Sequence, residues 1–385
     1  VREHNRLCDE ILEAHPNWFD DQIYHQARRI VIGAIESIVF YEWLPAMGVE
    51  MDPYTGYKPN VNPQIMNVFA AAAYRYGHTT INSKLFRIDE NCQDHENGHA
   101  FLKYAFFNPE MIREVNGIEP YLTGMVNQQQ QDLDCFIIDD LRNFLFGAPG
   151  SGGMDLAAIN LMRGRDRGLP DYNTVREQFG FAKKQSFATL SEDVILNQKL
   201  YQAYSDINDI DVWAGILAED HVEGAMFGDL GIYIIMEQFI ALRDGDRFYF
   251  ENDPGLSNED ILNLKATRLS DIIRRNTNIE CLPNDEVFYY NPITDTEETS
   301  LAQTQLKASP NPTQGYVQLE IESNNPEEIN LTVYNTLGQL IQQSQISLFE
   351  GSNTVELNLT GMANGLYSVI IDNGNQKVLS KIIKQ

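Results

Sequence analysis

The stretch YRYGHTTINSKLFRID, from Tyr74 to Asp89, places a histidine at the end of an apolar helical pattern. The pattern predicts a helix from about Pro63 to Thr80, with Arg75 one turn before His78 on nearly the same face. Gly77 removes side-chain bulk beside the histidine, so a flat ring could approach the backbone. A neutral imidazole is a good axial ligand for haem iron, and an arginine can pair with a propionate. A single histidine on a helix is more often a packing residue, so these residues alone leave both interpretations open.

Helical spacing of apolar residues continues on both sides of this stretch. Residues 1 to about 295 are therefore predicted to be mostly helical, and Asp20 or Asp21 is the expected cap of the second helix. Residues 147–153, GAPGSGG, form a turn-rich connection. The predicted helical segments are 1–14, 20–45, 63–80, 131–146, 190–204, 227–242 and 257–275.

The period of the apolar residues changes to two near the C-terminus. Val317, Leu319 and Ile321 alternate with polar residues, and similar short runs follow, separated by turns. Short strands at this spacing indicate a small β-sandwich. The predicted order is a mainly α domain over 1–292, a polar linker over 293–307 and a small all-β sandwich domain over 308–385.

The chain of 385 residues is strongly acidic, with a net charge of −27 and a pI near 4.5. Such a surface repels nucleic acid and anionic membranes, so neither is an expected partner. No apolar run is long enough for a transmembrane helix. The four cysteines include no CxxC pair. One or two disulfides are possible in an oxidising compartment, and the spacing leaves their pairing open.

Several segments of the α region resemble, in order, those of the animal haem peroxidase family, the family of myeloperoxidase and peroxidasin. YRYGHTTINSKLFRID resembles the family's proximal-helix motif, and VREHNRLCDEI at the start of the chain is similar to its helix of REHNRL type. The common order of the matches is far more specific than any single motif. Further matching segments are IYHQARRIVIGAIESIVFYEWLPAMG (Ile23 to Gly48), INLMRGRDRGLPDYN (Ile159 to Asn173) and ALRDGDRFYFEN (Ala241 to Asn252).

The resemblance implies roles for four residues. His78 would be the proximal ligand of the haem iron, and Asn160 would accept a hydrogen bond from the far ring nitrogen of His78 and so fix its tautomer. Arg75 and Arg163 would lie near the haem propionates. In the related cyclooxygenases a tyrosine stands three residues before the proximal histidine. Arg75 occupies that position here, so the chain resembles the peroxidase branch.

The resemblance also implies groups that precede this sequence. The family's distal histidine and arginine, its haem-esterifying carboxylates and its calcium-binding loop all lie before the REHNRL-type helix. The sequence opens at Val1 within that helix and shows no signal peptide, so we expect these groups upstream. Haem is the expected cofactor, and calcium is possible with ligands outside this chain. His4 belongs to the REHNRL-type match and is expected to be structural.

Residues 95–99, HENGH, also match the HExxH pattern of zinc proteases, in which two histidines bind the metal and the glutamate is the general base. Asn97-Gly98 favours a turn, however, and the preceding residues lack an apolar face. No third ligand is apparent. A polar loop is therefore the preferred interpretation of these residues.

The C-terminal region resembles the sorting domain of type IX secretion cargo in Bacteroidetes. The resemblance implies export through that secretion machinery and a secreted or cell-surface location. A generic carbohydrate-binding or adhesive sandwich is the alternative. The matching segments are SPNPTQGYVQLEI, LTVYNTLGQLI and GLYSVIIDNGNQKVLSKIIKQ.

Together the two resemblances predict a secreted haem peroxidase that uses hydrogen peroxide to oxidise a halide or an organic reductant. The alternative is a non-enzymatic, peroxidase-like protein that serves in binding or adhesion. An intact distal histidine upstream would favour the enzyme, and its replacement would favour the alternative. A zinc protease is the third and weakest hypothesis.

Overall fold

A computed structural model describes residues 1–115, 117–148, 152–282, 285–289, 306–323, 326–335, 340–349, 351–372 and 377–384. The chain divides into two compact units, Val1–Ile293 and Thr294–Gln385. The first is helical and the second is built from antiparallel strands, which confirms the predicted fold class. Most of the predicted linker and the middle of the connection 147–153 lie outside the described residues.

The first unit is a succession of short and medium helices. A π-helical turn, Val39–Trp43, joins the second helix to the third, and 3-10 turns occupy Ala73–His78, Phe187–Thr189 and Ile207–Asp209. The α-helices are α1 (Arg2–Ala14), α2 (Asp20–Ile38), α3 (Leu44–Ala46), α4 (Asn67–Ala71), α5 (Leu102–Ala105), α6 (Glu110–Arg113), α7 (Glu119–Val126), α8 (Asp139–Arg142), α9 (Leu156–Asp166), α10 (Tyr172–Gln178), α11 (Val194–Tyr204), α12 (Val212–Ala218), α13 (Asp229–Asp244), α14 (Asn258–Ala266) and α15 (Leu269–Asn276). A two-residue ladder pairs β1 (Lys84–Leu85) with β2 (Ala100–Phe101).

Three local predictions are wrong, and the first two concern the segment 131–146 and the start of α2. In the segment 131–146 only α8 is helical, because the Asp134 carboxylate accepts a hydrogen bond from the Phe136 N–H at 2.7 Å and holds a turn instead. The expected cap of α2 is also wrong. Asp20 is the first residue of α2, and the N–H of Phe19 before it donates to the Gln22 side chain at 3.0 Å.

The predicted continuous helix 63–80 is broken in two, into α4 and the 3-10 turn Ala73–His78. The Met66 N–H donates to the buried Gln238 side chain at 2.6 Å, so the chain before α4 is extended. Ala72, with φ −137° and ψ −75°, separates the two pieces. The contact with the distant Gln238 cannot be read from an apolar periodicity, which reports only local spacing.

The core of the first unit forms mainly around α12 and α13, and a buried polar network lies beside these helices. Tyr172 of α10 donates to Glu219 at 2.5 Å, and Arg176 of the same helix donates to Glu219 at 3.2 Å. Arg176 also holds both oxygens of Asp229, at 2.6 and 2.8 Å. Burial raises the pKa of Glu219. The network joins α10 to Glu219, which directly follows α12, and to Asp229, the first residue of α13. Each buried charge of the network therefore has a partner.

The second unit has two antiparallel sheets that share one hydrophobic core. Val317, Leu319 and Ile321 of one sheet are fully buried, as the alternation predicted, and they share that core with Leu331 and Val333 of the other. The arrangement is a small sandwich. The strands are β3 (Leu306–Ser309), β4 (Tyr316–Ser323), β5 (Glu327–Asn335), β6 (Leu340–Leu348), β7 (Gly351–Asn358), β8 (Gly365–Asp372) and β9 (Lys377–Lys384), in the orders β3-β4-β7 and β6-β5-β8-β9.

The sequence left the cysteine pairing open, and the structure contains a disulfide between Cys92 and Cys281. These residues are 189 positions apart. The bond ties the loop after the histidine-bearing turn to the segment that follows α15. Cys8 and Cys135 are free thiols.

Replacing both Cys92 and Cys281 with serine should lower the free energy of unfolding by about 3–5 kcal/mol, because the bond closes a long loop in the unfolded chain. Chemical denaturation followed by tryptophan fluorescence measures the change. Cys8→Ser, which removes a free thiol, is the control and should have little effect. Equal midpoints for the oxidised wild type and the double variant would contradict the prediction.

Candidate functional site

His78 is the last residue of the 3-10 turn Ala73–His78, and its imidazole contacts α9. Its Nδ1 atom lies 2.8 Å from the side-chain amide nitrogen of Asn160, which is fully buried. The Asp155 side chain caps α9 by accepting from the Ala158 N–H at 3.1 Å, and this fixes the start of the helix that carries Asn160. The structure therefore brings together the two residues that the sequence resemblance paired.

Arg75 completes this group from the same turn as His78. Its Nη1 donates to the amide oxygen of Asn160 at 3.2 Å, and its Nε donates to the Ala70 carbonyl at 3.0 Å. The Arg75 carbonyl accepts in turn from the Trp213 indole N–H at 3.4 Å. Asn160 is thus a bridge, with an arginine on one side of its amide and a histidine on the other.

The orientation of the Asn160 amide matters for the chemistry of His78. With the amide nitrogen facing Nδ1, that atom accepts, and the ring proton of a neutral imidazole resides on Nε2. A metal bound at Nε2 requires the other tautomer, with the proton on Nδ1. A half-turn of the amide would present its oxygen to the Nδ1 proton. Arg75 would then lose its acceptor and become available to another anion.

The electrostatics of the site favour a neutral imidazole. Burial lowers the pKa of His78, and the positive charge of Arg75 lowers it further. The pKa of Arg75 is itself lowered by burial and then by Arg163 and Arg167. Three arginines therefore influence one small region of a protein whose net charge is −27. Neutral imidazole is the form that binds a metal.

Arg163 and Arg167 are exposed and form no ion pair with any described residue. Their neighbour Arg165 behaves differently, because its guanidinium holds both oxygens of Asp211 at 2.9 and 2.7 Å. The sequence prediction included Arg163 and missed Arg167. Arg163 and Arg167 are four residues apart in RGRDR, a spacing that places two side chains on one face of a helix. This spacing could have identified Arg167 from the sequence.

The site fits a flat, anionic iron porphyrin. Nε2 of His78 has no hydrogen-bond partner among the described residues, so a lone pair is available there once Nδ1 carries the proton. A Cβ atom placed on Gly77 would meet nothing within 4 Å, so the space beside the histidine is open. The arginines that lack a carboxylate partner supply positive charge for propionates. Donor type, space and charge therefore agree with haem.

The competing HENGH segment is not a zinc site in this structure. Residues 95–99 form a turn rather than a helix. His95 accepts from the Asn97 N–H at 3.1 Å, and His99 accepts from the Arg87 N–H at 3.2 Å. The His99 ring also stacks on Phe86, with centroids 4.4 Å apart. Among the described residues, no group of three or more His, Cys, Asp or Glu side chains could hold a metal ion.

Residues 1–288 match the animal haem peroxidase family, and residues 307–385 match the secretion system C-terminal sorting domain. The chain therefore belongs to the animal haem peroxidase family and carries a C-terminal domain that marks it for export. In the part of the chain that the structure describes, no helix is long and apolar enough to cross a membrane.

Individual relatives agree with this family assignment. The chain is 37% identical over 278 residues to peroxinectin A of Dictyostelium discoideum. The alignment covers 72% of this chain and 51% of that protein. It is 37% identical over 283 residues to peroxidasin of Drosophila melanogaster, covering 71% of this chain and 18% of the relative. The chain thus spans about half the length of the first relative and less of the second.

Solved structures show the same fold. Peroxidase A from Dictyostelium discoideum superposes with a TM-score of 0.70 at 36% identity, over 74% of this chain and 55% of that one. A fatty acid alpha-dioxygenase from Oryza sativa superposes with a TM-score of 0.64 at 22% identity, over 75% of this chain and 56% of that one, which shows the fold alone.

Replacing Arg75 with glutamine should raise the pKa of His78, because the positive charge that disfavours the imidazolium form is removed. The His78 ring signals, followed by NMR across a pH titration of the haem-free protein, measure the change. Arg165→Gln is the matched control, since Arg165 is already neutralised by Asp211. An unchanged or lower pKa in the Arg75 variant would show that its charge does not act on His78.

Proposed function

We propose that the protein is an exported haem peroxidase, in which hydrogen peroxide oxidises the haem-bearing enzyme and the enzyme then oxidises a halide or an organic reductant. The observation that carries the proposal is the contact of 2.8 Å between His78 and the buried Asn160, with Arg75 on the other side of the amide. Membership of the animal haem peroxidase family supports it.

Each residue of the site has a distinct task in this proposal. Haem, when bound, supplies an iron centre that exchanges electrons with peroxide and reductant. His78 would bind the iron through Nε2, and the Asn160 amide oxygen would accept a hydrogen bond from Nδ1–H and so fix the tautomer. Arg75 and Arg163 pair with the propionates. Arg75 would then donate to a propionate in place of the Asn160 oxygen, which would permit the half-turn of the amide.

The C-terminal domain determines where this chemistry takes place. We infer that the route of export is type IX secretion, because residues 308–385 resemble the sorting domain of that system's cargo. The partners are then the secretion machinery, hydrogen peroxide and a small-molecule reductant. Calcium stays a prediction from the family resemblance.

His78→Ala in the full-length protein should abolish axial ligation and the native haem absorbance spectrum, because the imidazole proposed to bind the iron is removed. His95→Ala and His99→Ala are the matched controls and should retain the spectrum. Haem absorbance after reconstitution decides between these outcomes. A native spectrum in His78→Ala would reject the proximal assignment, and a native wild-type spectrum without peroxide turnover would favour the non-enzymatic alternative.

Asn160→Leu should weaken haem binding on the order of 10- to 100-fold, which is the usual effect of losing the partner that orients a histidine ligand. Leucine has the same branching and the same number of side-chain heavy atoms as asparagine, so it keeps the shape of the side chain while it removes both polar atoms. Titration of the haem-free protein with haem measures the affinity. An affinity equal to that of the wild type would show that the amide has no part in orienting His78.

A further inference from the structure

The π-helical turn Val39–Trp43 carries three aromatic residues, and such turns are uncommon and often lie at functional sites. The Trp43 ring centroid is 6.3 Å from that of Tyr74 and 5.8 Å from that of Phe239. Tyr74 lies four residues before His78 in the same 3-10 turn. The π turn therefore places an oxidisable indole against the turn that ends in the proposed iron ligand.

Ring contacts continue from Trp43 through Phe239, which Tyr74 also contacts directly at 5.9 Å. Phe239 contacts Phe40 at 6.0 Å, and Phe40 contacts Tyr249 at 5.4 Å. Tyr249 contacts Phe250 at 4.9 Å, and Phe250 contacts Tyr41 at 6.3 Å. Each separation lies in the range of interacting aromatic pairs. An unbroken series of rings thus leads from Tyr74 to Tyr41, with the phenylalanines as packing between the oxidisable side chains.

The far end of the series has the proton acceptor that phenol oxidation requires. The half-buried Tyr41 hydroxyl donates to Glu251, whose other oxygen accepts from Lys265 at 2.8 Å. Burial and the hydrogen bond to Glu251 raise the pKa of Tyr41, so it is a neutral phenol at neutral pH. Tyr54 also contacts Tyr249, at 4.7 Å, but its buried hydroxyl has no hydrogen-bond partner among the described residues. Proton loss is therefore assisted at Tyr41 and not at Tyr54.

We propose that Tyr41 is a second oxidation site, linked to the haem site through Tyr74, Trp43 and Tyr249, and that it serves phenolic reductants too bulky to reach the haem. The inference rests on the proposed function, because the peroxide-oxidised haem centre is the oxidant.

The reaction balances in two steps. First, one electron leaves Tyr41 for the oxidised centre through the series of rings, and the phenolic proton moves to Glu251, which leaves a neutral tyrosyl radical. A phenolic reductant at the surface then supplies one electron to Tyr41. Glu251 returns the proton, and the oxidised reductant releases its own proton to water.

The test uses the full-length, haem-loaded protein mixed with hydrogen peroxide and a nitroso spin trap, with the adduct located by peptide mass spectrometry. Wild type should carry the adduct on Tyr41. Tyr249→Phe, which keeps the ring packing but removes the oxidisable side chain between Phe40 and Phe250, should lower that adduct at least tenfold. Glu251→Gln, which removes the proton acceptor, should lower it similarly.

Tyr204→Phe is the matched control, because Tyr204 also donates to a carboxylate, Asp211, at 2.9 Å but has no ring contact among the described residues. It should leave the Tyr41 adduct unchanged. Tyr41→Phe should retain iodide oxidation and the haem spectrum while losing most turnover of a tyrosine-containing peptide substrate.

Peroxide consumption distinguishes a failure of the second oxidation site from a failure of the proposed peroxidase function. If the wild type consumes peroxide without an adduct on Tyr41, or if Tyr249→Phe leaves that adduct unchanged, the second site is rejected and the peroxidase proposal stands. If the haem-loaded wild type does not consume peroxide, the proposed function fails and the second oxidation site fails with it.

Discussion

The hydrogen bond between Asn160 and His78 is the contact on which the site depends. Asn160 is fully buried, so its amide must be satisfied inside the protein, and leaving a buried polar group without a partner costs about 1–3 kcal/mol. Its two partners are Arg75 and His78, both from one 3-10 turn. The turn and α9 are therefore held in a single arrangement, and that arrangement determines where Nε2 of His78 lies.

Several contacts keep that turn from becoming a regular helix. The Gln238 side chain accepts a hydrogen bond from the Met66 N–H, just before α4. The Arg75 side chain donates to the Ala70 carbonyl, which in a continuous α-helix would accept from the Tyr74 N–H. Thr79 and Thr80 donate through their hydroxyls to carbonyls of the turn, at 3.0 and 3.1 Å. The polar groups released by the break in the helix thus find partners, so the break is stable.

The surroundings of the turn agree with the proposed export and oxidation chemistry. The disulfide between Cys92 and Cys281 is typical of an oxidising compartment, in agreement with a C-terminal sorting domain. Arg163 and Arg167 remain without ion pairs among the described residues, although acidic residues outnumber basic ones by 55 to 28. Positive charge without partners in an acidic protein is consistent with a site for an anionic group.

The sequence by itself determined the helical and β regions, the alternation of Val317, Leu319 and Ile321, and the candidates His78, Asn160, Arg75 and Arg163, because period and motif are local properties of a chain. Only the tertiary structure decided which cysteines pair, where the helix before His78 breaks, and that Arg75 bridges to Asn160. It also revealed Arg167 and the series of rings that leads from Tyr74 to Tyr41. The physical reason is that these features join residues up to 189 positions apart, and such contacts are set by the packing of whole elements.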